Sequence, residues 1–239
     1  MRRWIALAVT ALLLGGCSVV GNLGAMHCPA SRKLLPQGAA DYIDFVHVGG
    51  ITYHAGMRPT AGRALRESDL GTQVAVVRCK LADHMVEGPD KQHLDGDAAY
   101  LDKGTALYAV KGYQPTFRLA ARRDDQLVLF QAAENPRAQH WADLLDLRGK
   151  VRWIGINDDD NQQIAAIKDP PMVASLVDLL LRSPVSAPSA CDDQGNVLLA
   201  FRLDDGTATV MRYHLGDRRL DCRNPLPAAF GSAIRTALR

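Results

Sequence analysis

Residues 197–213, VLLAFRLDDGTATVMRY, contain the stretch that decides the fold of the second half of this chain. Two runs of apolar and β-branched residues flank a short DDG segment at 204–206. Asp and Gly between two such runs are typical of a β-hairpin, because these residues accept the backbone angles of a tight turn. We therefore predict antiparallel strands at 197–203 and 207–213.

The residues before this hairpin predict two more strands and a helix. Residues 151–156 alternate between polar and apolar, and 163–167 return after a polar turn. Asp169, followed by two prolines, favours a helix start, since Asp caps free N–H groups and proline suits the first turn. We expect this helix to end before Pro184. Its apolar residues at helical spacing are Val173, Leu176, Val177 and Leu180.

A second helix is predicted after the hairpin. Pro227 begins it, and Phe230, Ile234 and Leu238 share one face. Residues 149–239 therefore have the predicted order β-β-α-β-β-α. We expect an α+β domain in which the helices pack on one face of an antiparallel sheet.

The preceding residues, 41–148, predict a β-rich domain. Gly49 and Gly50 separate two strand-like runs, which indicates a tight bend or a bulge. A polar loop follows between residues 82 and 97. The predicted strands are 45–48, 51–53, 74–77, 106–110, 117–121 and 126–131.

The N-terminus has the pattern of a bacterial lipoprotein signal. Arg2 and Arg3 precede a short apolar run, 5–14, and the motif LGGC follows at 14–17. The run is shorter than the roughly 20 apolar residues that cross a bilayer. We expect a signal peptide at 1–16, with an ordinary signal peptide or a short membrane anchor as the alternatives.

Cleavage before Cys17 would leave this cysteine to carry a diacylglyceryl lipid. Residues 17–40, which contain Gly, Ala, Pro and Ser with little periodicity, are then a lipidated tether. No later stretch has the length and hydropathy of a membrane span. We therefore expect the protein on the outer, extracytoplasmic face of the cell membrane, with the lipid bilayer as its first partner.

The charge of the mature chain argues against nucleic acid as a partner. Loss of the two N-terminal arginines lowers Lys+Arg from 28 to 26, which equals Asp+Glu. A basic surface, the usual feature of nucleic-acid binding, is therefore not expected.

Four further cysteines predict disulfide bonds. An even number of cysteines in an exported chain favours pairing, and three pairings are open. We favour Cys28 with Cys79 and Cys191 with Cys222, because each pair lies within one half of the chain. Free buried thiols are the alternative. The chain has no Cys-x-x-Cys spacing, which argues against a zinc site.

The polar loop before residue 97 is a candidate metal site. Imidazole and carboxylate groups together can bind zinc or a similar ion. Their spacing matches no defined site, and a solvated loop is the simpler interpretation. The candidate ligands are His84, Glu87, His93, Asp95 and Asp97.

Residues 96–105 (GDAAYLDKGT), 108–113 (YAVKGY) and 117–120 (FRLA) lie within the predicted β-rich domain. Together with the LGGC motif at 14–17, which matches a lipobox, they resemble uncharacterised cell-envelope lipoproteins of Gram-positive bacteria, especially actinobacteria. The predicted elements of 151–213 are similar to the small α+β unit of such lipoproteins. The resemblance implies an envelope location and, because the group has no assigned activity, no catalytic residue.

The common catalytic motifs are missing from the sequence. It contains no Gly-x-Ser-x-Gly, Ser-x-x-Lys, His-Glu-x-x-His or phosphate-loop pattern. We expect no cofactor and a non-enzymatic binding or interaction module, with an envelope protein, a wall component or a small ligand as partner. An envelope hydrolase with dispersed His and carboxylate residues is the alternative, and a structural role beside a membrane complex is a third.

Overall fold

The structure of this chain, a computed structural model, describes residue 28 and residues 43–55, 63–83, 93–191 and 195–239. Within these ranges the predicted α+β class is confirmed. The protein is mostly sheet with two α-helices, and its strands form a curled half-barrel sheet and an antiparallel sheet. Neither helix of the described ranges has the length and hydropathy that a membrane span requires.

The half-barrel sheet has eight strands, all from the first half of the chain. Their order across the sheet is β3-β6-β7-β8-β2-β1-β5-β4. Only β4 and β5 pair in parallel; the other neighbours are antiparallel. The strands are β1 Phe45–Val48, β2 Ile51–Ala55, β3 Leu70–Val76, β4 Cys79–Lys80, β5 Asp97–Ala98, β6 Ala106–Val110, β7 Arg118–Arg123 and β8 Gln126–Glu134.

Two-residue turns set the register of two hairpins in this sheet. Gly49 and Gly50 join β1 to β2 at φ +61° and +76°. Asp124 and Asp125 join β7 to β8, also with positive φ. Gly and Asp are the residues that accept this left-handed region most readily, so the local sequence specifies both bends.

The second sheet has five strands and contains the predicted hairpin. Its order is β10-β9-β11-β12-β13, and all pairs are antiparallel. The hairpin prediction is confirmed by β11 and β12, in which Leu199 pairs with Met211 and Phe201 with Thr209. The strands are β9 Val151–Asn157, β10 Gln163–Ile167, β11 Asn196–Leu203, β12 Ala208–His214 and β13 Arg219–Leu220.

Both helices begin where the sequence predicts. Helix α1 spans Pro170–Arg182, and the Asp169 carboxylate accepts a hydrogen bond from the Met172 N–H at 2.9 Å. Helix α2 spans Ala228–Ala237. Helix α1 packs against β9, and α2 packs against α1 and β10. The buried residues of these helices are Val173, Leu176, Val177, Leu180, Leu181, Phe230, Gly231 and Ile234.

One continuous hydrophobic core joins the two sheets. Phe130 and Trp141 belong to the same buried cluster as Leu180 and Phe201. Residues 41–148 and 149–239 thus share one interior. Packing alone does not separate them, and the division into two domains stays a prediction.

A buried arginine reinforces this junction. The Arg118 side chain on β7 is fully buried, and its guanidinium donates to Thr207 Oγ1 at 2.8 Å, the Ala208 carbonyl at 3.0 Å and Thr209 Oγ1 at 2.8 Å. These three acceptors lie where β12 begins, so one side chain of the first sheet contacts three successive residues of the second.

Candidate functional site

The structure pairs the four cysteines of the body as the sequence favoured. The Cα atoms of Cys28 and Cys79 are 4.9 Å apart, and those of Cys191 and Cys222 are 5.4 Å apart. Both separations are ordinary for disulfides. The Cys28–Cys79 bond packs against a small cluster that includes Phe45 and Leu81. Cys17, the predicted lipid site, lies outside the described residues.

The main candidate site is a cleft between the two sheets. Its volume is about 660 Å³, within the range of clefts that bind small molecules. Strands β2 and β8 contribute one wall, and β12 contributes the opposite wall. The residues at 188–190 and 221–223 complete the rim. We call this space the inter-sheet cleft.

The lining of the inter-sheet cleft is mainly apolar. Trp141 begins a 3₁₀ turn at 141–143 and is 1% exposed, which leaves its large ring as part of a rigid wall. Trp141, Leu144, Leu145 and Met211 also belong to the hydrophobic core cluster, so packing holds these lining side chains in place. The other apolar lining residues are Leu129, Ala132, Ala133, Leu144, Leu145, Pro188, Ala190, Ala208, Val210 and Met211.

The charged groups around the inter-sheet cleft balance one another. Arg212 and Arg223 face two acids, Glu134 and Asp221. Arg212 also forms an ion pair with Asp159 at 2.6 Å, outside the cleft lining. The cleft therefore offers no net charge to a ligand.

Arg223 uses its guanidinium to join three segments. Nη2 donates to the Ala133 carbonyl at 2.6 Å, Nη1 donates to the Ser186 carbonyl, and the group lies 5.8 Å from the centre of the Trp141 ring. Burial lowers the pKa of Arg223, because a charged guanidinium loses solvation there. These contacts make Arg223 a fixed part of the wall.

His54 lines the inter-sheet cleft, and a second cleft of about 720 Å³ shares Glu134 and Arg223 with it. Burial lowers the pKa of His54, although the nearby Glu134 carboxylate acts in the opposite direction. The second cleft is lined by His47, whose Nδ1 is 3.0 Å from Thr52 Oγ1, and by His93. His47 and His93 have ring centroids 6.0 Å apart, and His54 lies on the neighbouring strand β2, a grouping that no local spacing indicates.

The candidate metal loop is only partly described. His84 and Glu87 lie outside the described residues. The His93 ring stacks on Phe45 at 4.3 Å, and the Asp95 carboxylate accepts a hydrogen bond from the Gly49 N–H. Asp97 accepts one from the Leu94 N–H at 2.8 Å. Both carboxylates thus bind loop backbone, and a metal site built from all five residues stays a prediction.

The structure instead brings together a group that the sequence does not indicate. Among the described residues, one set of three His, Cys, Asp or Glu side chains could hold a metal ion, and it consists of Cys191, His214 and Cys222. Their separations of 23 and 8 residues match no metal-binding motif. The sequence favours a disulfide, with free thiols as the alternative, and does not indicate the histidine, because β12 and β13 must pair before these residues meet.

Comparisons with protein-family models, with curated proteins and with solved structures find no match to this chain.

Proposed function

We propose that this protein is a lipid-anchored lipoprotein of the extracytoplasmic membrane face, and that it is a non-enzymatic binding module. Its ligand is a small, uncharged and mainly apolar molecule that occupies the inter-sheet cleft. The observation that carries this proposal is the cleft itself, which has the volume of a small-molecule site and a largely apolar wall.

Charge balance supports an uncharged ligand. The two arginines and two acids of the lining cancel, and Arg223 already donates to two backbone carbonyls. An anionic ligand would lose its hydration at a site where Arg212 is already paired with Asp159 and Arg223 with two carbonyls. An apolar ligand gains about 25 cal/mol for each Å² of apolar surface that it removes from water.

The anchoring part of the proposal rests on the LGGC motif at 14–17 and on the two disulfides. Disulfides persist in oxidising compartments outside the cytoplasm, so the two cysteine pairs agree with export. We further propose that the protein belongs to the envelope lipoproteins of Gram-positive bacteria, especially actinobacteria, which its sequence resembles. We also propose two units, 41–148 and 149–239, with the helices on one face of the second sheet; the contacts of α1 with β9 and of α2 with β10 support this.

Replacing Cys17 with alanine should release the protein from membranes. Without the thiol no lipid can be attached, and one or two acyl chains are the only anchor that we propose. Fractionation of cells that produce wild type and Cys17→Ala, followed by immunoblotting, measures this. Cys28→Ala is not a suitable control because it breaks a disulfide; Ser18→Ala is, and should stay with the membranes. Full membrane retention of Cys17→Ala would rule out the lipid anchor.

Filling part of the inter-sheet cleft should weaken ligand binding. Val210 lies half-buried on β12 in the cleft wall, and tryptophan at this position would occupy part of the space. We expect wild type to bind Nile red, an uncharged apolar dye, and Val210→Trp to bind it about tenfold more weakly or worse. Fluorescence titration gives both dissociation constants.

The matched control for this experiment is Ile164→Trp. Ile164 is exposed on β10, outside the cleft lining, so this variant adds the same side chain at a different surface. It should bind Nile red as wild type does. Equal affinity of wild type and Val210→Trp would exclude the cleft as the site.

The alternative function is an envelope hydrolase, and one observation favours it. His54 and Glu134 both line the inter-sheet cleft, and the lowered pKa of His54 would keep the imidazole neutral and able to accept a proton. Hydrolysis of a p-nitrophenyl ester by wild type, lost in His54→Gln, would support the hydrolase. Binding of a ligand in the cleft of the wild-type protein without any hydrolysis would support the binding module.

A further inference from the structure

His214 lies against both sulfur atoms of the Cys191–Cys222 pair. Its Nε2 is 3.1 Å from the Cys191 sulfur and 3.3 Å from the Cys222 sulfur. The histidine ends β12 and is 1% exposed, whereas the two cysteines are partly buried. A disulfide that only links two segments does not require an imidazole at this position. Two sulfurs and one imidazole are, however, a ligand set for a thiophilic metal ion.

The two cysteine-bearing segments are held together by contacts other than the disulfide. The Ser189 N–H donates to the Cys222 carbonyl at 2.9 Å. Arg219 donates to the Ala190 carbonyl at 2.8 Å and to Ser189 Oγ at 3.0 Å. The Cys191 and Cys222 side chains should therefore remain neighbours after the bond between them is broken.

The turn that carries Cys222 is fixed from its other side as well. The Asp221 N–H donates to the Arg212 carbonyl, and the Asp221 carboxylate accepts from the Arg212 N–H, both at 2.8 Å. His214 is anchored by its place in the sheet, where it pairs with Asn196 and Arg219. All three candidate ligands thus project from backbone that the fold holds independently of the sulfur–sulfur bond.

We propose that Cys191, His214 and Cys222 form a redox-controlled zinc site. A dithiol reductant transfers two electrons to the disulfide, which becomes two thiols while the reductant becomes its own cyclic disulfide. Zn²⁺ then binds both sulfurs and the imidazole nitrogen, and the two thiol protons are released to solvent. A disulfide oxidant then accepts two electrons from the two thiolates and, with two protons, becomes two thiols, while Cys191 and Cys222 form their disulfide again and the ion is released.

The donor set and its position explain the choice of metal. Two thiolates neutralise the charge of Zn²⁺, so the filled site adds no net charge to a partly buried region. Three protein ligands leave the fourth tetrahedral position open, which is the arrangement of zinc sites that bind an exogenous molecule. His214 and Cys222 line the inter-sheet cleft, and the open position would therefore face it. The site does not depend on the identity of the cleft ligand.

Zinc binding to the reduced, full-length protein tests the proposal. Wild type is reduced with a dithiol, exchanged into buffer without reductant and oxygen, and titrated with ZnCl₂ against a chromophoric chelator. We expect one zinc per chain that depends on Cys191, His214 and Cys222, and no binding at this site in the oxidised protein. His214→Ala should weaken the affinity by about 100-fold, since each ligand supplies a large share of the binding free energy. Co²⁺ should give thiolate charge-transfer absorption in wild type, and Cys191→Ser/Cys222→Ser should lose the part that comes from this site.

The controls separate this site from the other reduced thiols. His140→Ala removes an exposed histidine and should bind zinc as wild type does. Zinc held by Cys28 and Cys79 would persist in Cys191→Ser/Cys222→Ser, and such persistence of all the bound zinc would overturn the proposal. Equal zinc affinity of wild type and His214→Ala would also overturn it. His214→Gln, with circular dichroism of each variant, keeps the test valid if the alanine variant fails to fold. Preference for Cu⁺ without dependence on His214 would refute the zinc assignment.

Discussion

Arg118→Ala should lower the free energy of unfolding by about 3–5 kcal/mol, since it leaves a cavity and removes three hydrogen bonds in the core. The guanidinium is fully buried and donates to Thr207, Ala208 and Thr209 at the start of β12. It also lies 4.8 Å from the centre of the Tyr113 ring and 4.7 Å from that of Phe117. Alanine removes all of these contacts at the junction of the two sheets.

The charge of Arg118 does not weaken this expectation. Burial lowers the pKa of Arg118 to about 10, so the group is still protonated at neutral pH. Its charge is stabilised by three oxygen acceptors and two aromatic faces rather than by a direct ion pair with a carboxylate. Removing the side chain therefore takes one hydrogen bond from each of the three acceptors, although the Thr207 and Thr209 hydroxyls still donate to Asp205 and Gln131.

Urea denaturation followed by circular dichroism measures the effect. Arg122→Ala is the matched control: it lies on the same strand, but its side chain is exposed and pairs with the exposed Glu67. No measurable change is expected there, because exposed ion pairs contribute little. Arg118→Lys keeps the charge without the planar fork and should fall between wild type and alanine. If Arg118→Ala were as stable as Arg122→Ala, the arginine would not be an anchor of the junction.

Removing the Cys28–Cys79 bond should lower the free energy of unfolding by a similar amount. The cysteines are 51 residues apart, and closing a loop of that length restricts the unfolded chain by about 4 kcal/mol in the loop-entropy description. The bond also connects Cys28 to the cluster of Phe45, Leu81 and Ala99. We expect Cys28→Ser/Cys79→Ser to unfold at a clearly lower urea concentration than wild type.

A comparison under reducing conditions isolates the covalent link from the change of side chain. With excess dithiothreitol neither protein has a disulfide, so the difference between wild type and Cys28→Ser/Cys79→Ser should disappear. A difference that persists in reductant would mean that the serine side chains, and not the lost bond, reduce stability. The same measurement shows whether the fold depends on an oxidising compartment, which the proposed location supplies.

The elements that were predicted correctly are those with a local physical cause. The β11–β12 hairpin follows from two apolar runs around DDG, and α1 from the Asp169 cap with its apolar stripe. The strands β4, β5 and β13 have two residues each and were not predicted. So few residues show no periodicity, and these strands exist because a neighbouring strand offers hydrogen bonds.

The candidate site, in contrast, could not be predicted from the sequence and depends on the tertiary structure. The sequence of this protein, by itself, determines the turns, the caps and the apolar faces, because those depend on residues within one or two turns of each other. Arg118 meets Thr207 across 89 positions, and His214 meets Cys191 across 23. The inter-sheet cleft likewise depends on how the two sheets pack, since residues of both sheets line it. Tertiary structure decides these contacts because they depend on how the packed sheets bring distant residues together, which no local pattern encodes.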